Sequence, residues 1–164
     1  MAARTENLRI VPVDRSNADQ YVTLIKALAD YEKLTPPDEE ARARLVRDAT
    51  SDPPMFQARL ALLDDQVVGY LTYFFTYSTF LAKPTLFLED IFVLEAHRKN
   101  GVGKALFRYC VREAKSRGCG RMEWTALDWN NLAHRFYESM GGKQMDWFLF
   151  RLVKEDFDKA IKGT

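Results

Sequence analysis

Apolar runs in the first half of the chain predict a set of closely spaced strands. The segments LRIVPV (8–13), FQARLALL (56–63), QVVGYLTYFFTY (66–77) and PTLFLEDIFVL (84–94) are rich in β-branched, aromatic and leucine residues. Two aspartates, Asp64 and Asp65, separate the second run from the third, a spacing typical of a β-hairpin. Pro12 predicts that the first strand lies at an edge of the sheet or ends there. Two later apolar segments, RMEWTALDW (121–129) and WFLFRLV (147–153), also predict strands.

Apolar residues at helical spacing predict helices between and after these strands. Tyr21, Leu24, Ile25 and Leu28 mark the first helix, which Ser16 or Asn17 can cap. The other predicted helices cover about 39–49, 102–118, 130–140 and 154–161. Prolines at 53 and 54 end the second helix, and glycines at 118 and 141–142 end the next two.

The order of these elements predicts an α/β fold. A strand, two helices and three strands are followed by helix, strand, helix, and one or two further strands. This order indicates one mixed sheet of about six to seven strands with flanking helices. The chain has 164 residues, which favours a single domain over 1–164.

Composition narrows the classes of function. Lysines and arginines number 24 and acidic residues 23, so the net charge of +1 indicates neither a nucleic-acid partner nor an anionic membrane surface. The N-terminal segment lacks the apolar stretch of a signal peptide, and no segment approaches the length of a membrane span. Cys110 and Cys119 form no metal or redox spacing, so we expect no metal site and a cytoplasmic protein, with Cys110 in the core.

The segment HRKNGVGKA (97–105) is the first candidate for chemistry. A Walker loop requires glycine at 98 and a hydroxyl residue at 105, where Arg98 and Ala105 stand. A dinucleotide-binding loop requires glycine at 106, where Leu106 stands. What remains is R-x-x-G-x-G between a strand and a helix. This pattern suits either a pyrophosphate cradle at a helix N-terminus or a glycine-rich turn that binds nothing.

The wider sequence resembles the GNAT acetyltransferases, whose acetyl-coenzyme A motif is [QR]-x-x-G-x-[GA]. The segments LIKALADYEKL, YFFTYSTF, LFLEDIFV, HRKNGVG and LDWNNLAHRFY are similar, in this order, to the diamine and thialysine acetyltransferases related to spermidine/spermine acetyltransferase. The resemblance extends from about residue 8 to 158. It implies a splayed sheet with a β-bulge, acetyl-CoA as cofactor, direct attack by the amine in a ternary complex, and a homodimer to which WFLFRLV could contribute.

The same resemblance implies the cofactor site. Backbone groups of the fourth strand would bind the pantetheine arm and polarise the thioester, and the loop and a later helix would bind the rest. The residues concerned are Ile91, Phe92, Val93, Arg98, Lys99, Asn100, Gly101, Val102, Gly103, Lys104, Asn130 and Tyr137.

Glu89 and Asp90 are acidic residues in an otherwise apolar strand. A carboxylate in such a place costs free energy unless it is paired or used. Strict alternation along a strand predicts that their side chains point to opposite sides of the sheet and form no shared dyad. By resemblance Glu89 accepts the proton of the amine and Asp90 contacts the substrate. The alternative for each is an ion pair with a neighbouring strand.

Tyr137 is the candidate general acid. Asn130 lies seven residues before it, so the two side chains share one helix face about 10.5 Å apart. A phenol, with a pKa of about 10, is a plausible proton donor to a leaving thiolate. The alternative is that Tyr137 is a core aromatic residue and Asn130 only a helix cap. His97 and His134 are expected to have surface roles.

The predicted substrate is a small primary amine, such as a lysine-like amino acid, a diamine or a polyamine. Tyr31 and Glu32 match substrate-contacting positions of the resembled branch, and Ser78 is similar to its thialysine-type members. Ser78 and Phe80 stand where the spermidine/spermine enzymes carry an aspartate and a tryptophan, and the missing acid weakens the case for long polycations. The predicted substrate set is Tyr31, Glu32, Ser78, Phe80, Glu89, Asp90, Glu123, Trp124 and Thr125. The alternatives are a protein or peptide N-acetyltransferase, or a non-catalytic acyl-CoA sensor.

Overall fold

A computed structural model describes residues 7–163, which form two compact units that divide between Thr125 and Ala126. The described strands and helices of the first unit are β1 (Leu8–Pro12), α1 (Ala18–Glu32), α2 (Glu39–Thr50), β2 (Gln57–Leu63), β3 (Gln66–Ser78), β4 (Lys83–Val93), α3 (Val102–Ser116) and β5 (Arg121–Trp124). The second unit contains α4 (Asn131–Ser139) and α5 (Phe157–Lys162). Among the described residues, no helix is both long and apolar enough to cross a membrane.

The five described strands form one mixed sheet in the order β1-β2-β3-β4-β5. The first four are antiparallel, and β5 runs parallel to β4. Asp64 and Asp65 both have positive φ, of 50° and 63°, which matches the turn that the right-handed twist of a two-residue hairpin requires. The mixed α/β sheet and the position of β1 at its edge are therefore as predicted.

Apolar side chains are buried on both faces of the sheet. On one face, Tyr21 of α1 and Ala49 of α2 belong to one buried cluster with Tyr70 of β3 and Phe92 of β4. On the other, α3 buries Leu106 and Cys110, and the Tyr73 hydroxyl donates a 3.1 Å hydrogen bond to Glu113 of this helix. The prediction that Cys110 is a core residue is confirmed, and burial raises the pKa of its thiol to about 12.

The sheet opens between β4 and β5 because β5 is short. The parallel pairing of the two strands covers only Thr85–Leu88 on β4 and ends at Trp124. On its other side, β4 continues to pair with β3 as far as Val93. The part of β4 after Leu88 therefore has one paired edge and one edge at which residues 7–163 place no strand, which is the splayed arrangement expected from the resemblance.

Three local predictions are corrected by the structure. Residues 147–153 form no strand in the second unit, so the sheet has five described strands instead of six to seven. Large aromatic side chains of this segment are exposed, since Phe148 and Phe150 are 88% and 89% accessible. The strand predicted over 121–129 stops at Trp124. Asn17 precedes α1 without capping it, because its carboxamide oxygen accepts the backbone N–H of Asp14 instead.

Gly69 is a position where the sheet tolerates no side chain. A Cβ atom here would lie 2.5 Å from the carbonyl oxygen of Phe92 on β4. We expect Gly69→Ala to lower the free energy of unfolding by about 1–3 kcal/mol, because β4 would have to move. Urea unfolding measures this. Gly120→Ala is the control, since its closest contact is the flexible end of Leu81, and an equal loss in both variants would contradict the argument.

Candidate active site

The bulge in β4 lies at the acidic pair. Thr72 of β3 is opposite Asp90 and Tyr73 is opposite Leu88, so Glu89 is an extra residue with no partner. This interrupts the alternation from which opposite faces were predicted for Glu89 and Asp90. Asp90 shares the α1 face of the sheet with Thr72, whose hydroxyl lies 2.6 Å from that of Tyr21. The bulge thus places an exposed carboxylate beside a half-buried one.

The bulge also leads into the open edge of β4. The N–H of Leu94 donates to the carbonyl of Val68, so Leu94 and Phe92 direct their backbone groups toward β3. Ile91 and Val93 alternate with these two residues and direct their backbone groups toward the edge that β5 leaves uncovered. Of the three residues predicted to bind an extended ligand through the backbone, Ile91 and Val93 are therefore the ones with groups at the open edge.

The loop after β4 has the geometry of an anion cradle. Lys99 and Gly101 have positive φ, of 64° and 83°, which turns successive backbone N–H groups toward one side. Gly101 precedes α3, and no side chain caps this helix. The first helical hydrogen bond is made by Ala105, and the first turn holds no acidic residue. The N–H groups at 102–104 and the positive end of the helix dipole are thus available to an anion.

Arg98 turns its side chain away from this loop. Its Nε donates a 2.9 Å hydrogen bond to the carbonyl of Val93. Its guanidinium lies 4.7 Å from the ring centre of Tyr31 and 5.6 Å from that of Phe92. The sequence predicted a cofactor contact for Arg98, and the structure shows in addition a contact with the last turn of α1.

Carboxylates converge near the bulge. Burial, together with the negative charges of Glu89 and Glu32, raises the pKa of Asp90 from its ordinary value of 3.8 to about 7. Burial also raises the pKa of Glu32, which is at the C-terminal end of α1, where the helix dipole disfavours an anion. The negative charges of these three carboxyl groups repel one another, and a bound cation would relieve the repulsion. The site is therefore suited to a cation.

Aromatic hydroxyls that the sequence analysis did not identify complete this cluster. The buried hydroxyl of Tyr70 makes no hydrogen bond of ordinary geometry within residues 7–163, although it lies close enough to lower the pKa of Asp90 slightly. Burial raises the pKa values of both Tyr70 and Tyr21 well above the usual range. The sequence positions of Tyr21 and Tyr70 are those of core residues. Only the location of their hydroxyl groups in the structure shows that they belong to the site.

Asp90 gives the folded chain a testable pH dependence. Its raised pKa means that the folded state keeps a proton that the unfolded state releases between about pH 4 and pH 7. Stability from this group therefore falls as the pH rises through that window. We expect Asp90→Asn to be more stable than wild type at pH 8, by at most about 4 kcal/mol, and little different at pH 4.5. Urea unfolding at both values measures this.

The matched control for this experiment is Asp30→Asn. Asp30 is exposed and pairs with Lys26 across one turn of α1, so its replacement should have a small effect. A stability difference for Asp90→Asn that is the same at both pH values would contradict the account.

The predicted residues of the second unit lie on and before α4. Asn130 is buried and is the N-cap of this helix, where its side chain accepts the N–H of Ala133 at 3.2 Å. Tyr137 is half-buried two turns later, with its ring 5.4 Å from that of Phe136. His134 is half-buried, and its Nε2 lies 2.9 Å from the carbonyl of Leu127, so it is no free surface group.

Of the other predicted substrate residues, Trp124 lies beside the bulge, opposite Leu88, whereas Ser78 and Phe80 lie far from it. Ser78 is buried at the far end of β3, about 20 Å from the residue opposite Asp90, and its hydroxyl accepts the N–H of Leu81. Phe80 follows in the exposed turn. On β5, Trp124 packs edge-to-face on Phe107 of α3, and Glu123 pairs with Arg121.

Thr125 is exposed directly after β5, and it ends the first unit. The part of the chain that the structure describes contains no group of three or more His, Cys, Asp or Glu side chains able to hold a metal ion.

Comparisons with known proteins agree on one family. The acetyltransferase (GNAT) family model matches residues 22–142. An L-ornithine N5-acetyltransferase from Arabidopsis thaliana is 42% identical over 93 residues, which are 56% of this chain and 41% of that protein. A thialysine N-epsilon-acetyltransferase from Mus musculus is 28% identical over 159 residues, which are 90% of this chain and 93% of that protein. The chain thus spans less than half of the plant relative.

Solved structures share the fold. The aminoglycoside N-acetyltransferase AAC(6')-Iy in complex with CoA has a TM-score of 0.74 at 21% identity, covering 90% of this chain and 95% of that one.

Proposed function

Because the chain belongs to the acetyltransferase (GNAT) family, which uses acetyl-CoA, we propose that it transfers the acetyl group to a small primary amine. The observation that carries this proposal is the cluster of Glu32, Glu89 and Asp90 at the bulge of β4. These groups favour a cationic substrate, and Glu89 and Asp90 lie on the strand that leads into the loop proposed to bind an anion.

The residues present fit the cofactor. The uncapped N–H groups at 102–104 and the turn at Lys99 and Gly101 would bind the pyrophosphate. Ile91 and Val93 would hydrogen-bond the pantetheine arm at the open edge of β4, and their N–H groups could stabilise negative charge on the acetyl oxygen. When bound, acetyl-CoA supplies an activated acetyl group.

The carboxylates would prepare the amine. A primary ammonium has a pKa of about 10.4 and must lose a proton before it can attack. Glu89, exposed at the bulge, is the proposed acceptor, directly or through a water molecule. Asp90 and Glu32 would hold the cation and orient its nitrogen. No nucleophilic residue is required, so we propose direct attack in a ternary complex.

Tyr137 is the proposed general acid, and Asn130 a cofactor contact. Their roles are supported by the family match, which extends to residue 142, and by their common face on α4. The capping bond of Asn130 uses one oxygen lone pair and leaves its amide group able to donate. The match spans both units, which supports one catalytic domain over 1–164.

The proposed substrate class is a lysine-like amino acid or a short diamine. Relatives named for thialysine and ornithine acetylation support it. The test is a panel of lysine, thialysine, ornithine, putrescine, spermidine and a lysine-containing peptide, with turnover followed by thiol release. Preference for the short amines supports the proposal, and preference for the peptide would favour a protein N-acetyltransferase.

The alternative that is not an enzyme is a non-catalytic sensor that binds acyl-CoA. It predicts tight binding of acetyl-CoA with no acetylated product from any amine of the panel. The presence of both Glu89 and Tyr137 favours the enzyme.

We further propose that the protein is a cytoplasmic homodimer, in which residues 147–153 pack against a second copy. Both cysteines are free thiols, which supports a reducing compartment. Trp147, Phe148 and Phe150 are largely exposed, and the apolar composition of this segment suits a strand that pairs with a second copy. Light scattering should give about twice the chain mass of 19.0 kDa for wild type. The double variant Phe148→Glu with Phe150→Glu should give the mass of one chain. A monomeric wild type would contradict this proposal.

A further inference from the structure

The side chain of Arg98 connects three elements of the first unit. It begins in the loop, its Nε donates to the carbonyl of Val93 on β4, and its guanidinium stacks on Tyr31 of α1 at 4.7 Å. The Tyr31 and Phe92 rings are themselves 6.2 Å apart. A planar guanidinium can make the hydrogen bond and the ring contact together, which an ammonium cannot do as well.

The contact between Arg98 and Tyr31 lies next to the proposed amine site. Tyr31 belongs to the last turn of α1 and is followed by Glu32, one of the three carboxylates of the proposed amine site. After Glu32 the chain turns through Lys33, whose φ is 58°. Backbone hydrogen bonds from Lys33 to Asp30 and from Leu34 to Ala29 close this end of the helix, which is the part of a helix that opens most readily. The stack on Arg98 is therefore a restraint on the position of Glu32.

The loop at the other end of this contact is itself poised for a ligand. Lys99 holds a left-handed conformation without being glycine, and the N–H groups at 102–104 have no capping side chain. An anion that binds these groups would reduce the fluctuations of the loop. Restriction at one site lowers the entropy cost of ordering a second site in contact with it.

We propose that Arg98 is a positioning residue that couples the loop to α1, so that CoA binding orders the helix end carrying Tyr31 and Glu32. This inference rests on the proposed function, since it takes the loop as the CoA site. It makes the amine site complete only when the cofactor is present. Amine and cofactor then bind with positive cooperativity of about fivefold.

Hydrogen exchange with CoA alone tests this without knowledge of the amine. In wild type, saturating CoA should slow amide exchange over residues 29–34, which include the N–H of Leu34 bonded to the carbonyl of Ala29. Tyr31→Leu removes the ring, so CoA should still bind but leave exchange at 29–34 unchanged. Tyr31→Phe keeps the ring face and should restore the effect.

The control is Tyr109→Leu, which removes the partner of another stacked arginine. Arg59 lies 5.6 Å from the Tyr109 ring and donates to its hydroxyl at 2.8 Å, away from the loop. This variant should keep the CoA effect at 29–34. Slowed exchange in Tyr31→Leu, or unchanged exchange in wild type with CoA bound, would overturn the coupling alone. Failure of wild type to bind CoA would overturn the proposed function and the coupling with it.

Discussion

Glu89→Gln should lower kcat/KM at pH 7 by about 10²- to 10³-fold, because glutamine cannot accept the proton of the ammonium. The bulge exposes this side chain at the point where the open edge of β4 begins, and the isosteric amide keeps its size. Asp90 and Glu32 remain to bind the cation, so KM should change less than kcat.

The pH profile separates proton acceptance from binding. As the pH rises toward the pKa of the amine, solvent supplies more of the free base, and the variant should regain about tenfold in rate per unit of pH. Wild type should level off earlier. A defect of the same size at pH 7 and pH 9.5 would show that Glu89 binds the substrate without accepting its proton. Glu40→Gln is the control, since Glu40 is exposed on α2 and pairs with Arg44 one turn away.

Tyr137→Phe should lower kcat by about 10²-fold while the Kd for CoA changes less than about twofold. The substitution removes one hydroxyl and keeps the half-buried ring that packs on Phe136. The loss should therefore appear in the chemical step, where the leaving thiolate needs a proton, and not in binding. Steady-state kinetics with calorimetry of CoA binding measure the two effects.

Tyr109→Phe is the matched control, because it removes the hydroxyl that Arg59 contacts on α3, outside the proposed site. Its kcat should stay close to that of wild type. A kcat for Tyr137→Phe within twofold of wild type would refute the general-acid assignment.

The sequence predicts the elements of this fold well, because most of them carry strong local signals. Each of these signals depends on only a few neighbouring residues. Examples are the helical spacing in α3, the hairpin at Asp64–Asp65 and the glycine after α3. Residues 147–153 show the limit of such reasoning. An apolar run with strand composition says that a segment is suited to a sheet, and not which chain supplies the neighbouring strand.

The candidate site divides in the same way. The loop from Arg98 to Gly103 is recognisable because it requires glycine and a helix start. The bulge at Glu89 depends on pairing between distant strands and leaves no local signal, so the opposite faces expected from strict alternation stay a prediction. The contact of Arg98 with Tyr31 spans 67 positions of sequence and leaves no local signal. The sequence does not reveal the position of the Tyr21 and Tyr70 hydroxyls either, because tyrosines at core positions are read as packing residues.

The most direct test of the central claim follows the acetyl group itself. Purified protein is incubated with isotopically labelled acetyl-CoA and the short amines, and the amines are analysed by mass spectrometry while released thiol is counted. The account predicts an amine that carries one labelled acetyl group for each thiol released, with the label on a primary nitrogen. Thiol release without an acetylated amine, or no reaction by protein that binds acetyl-CoA, would contradict it.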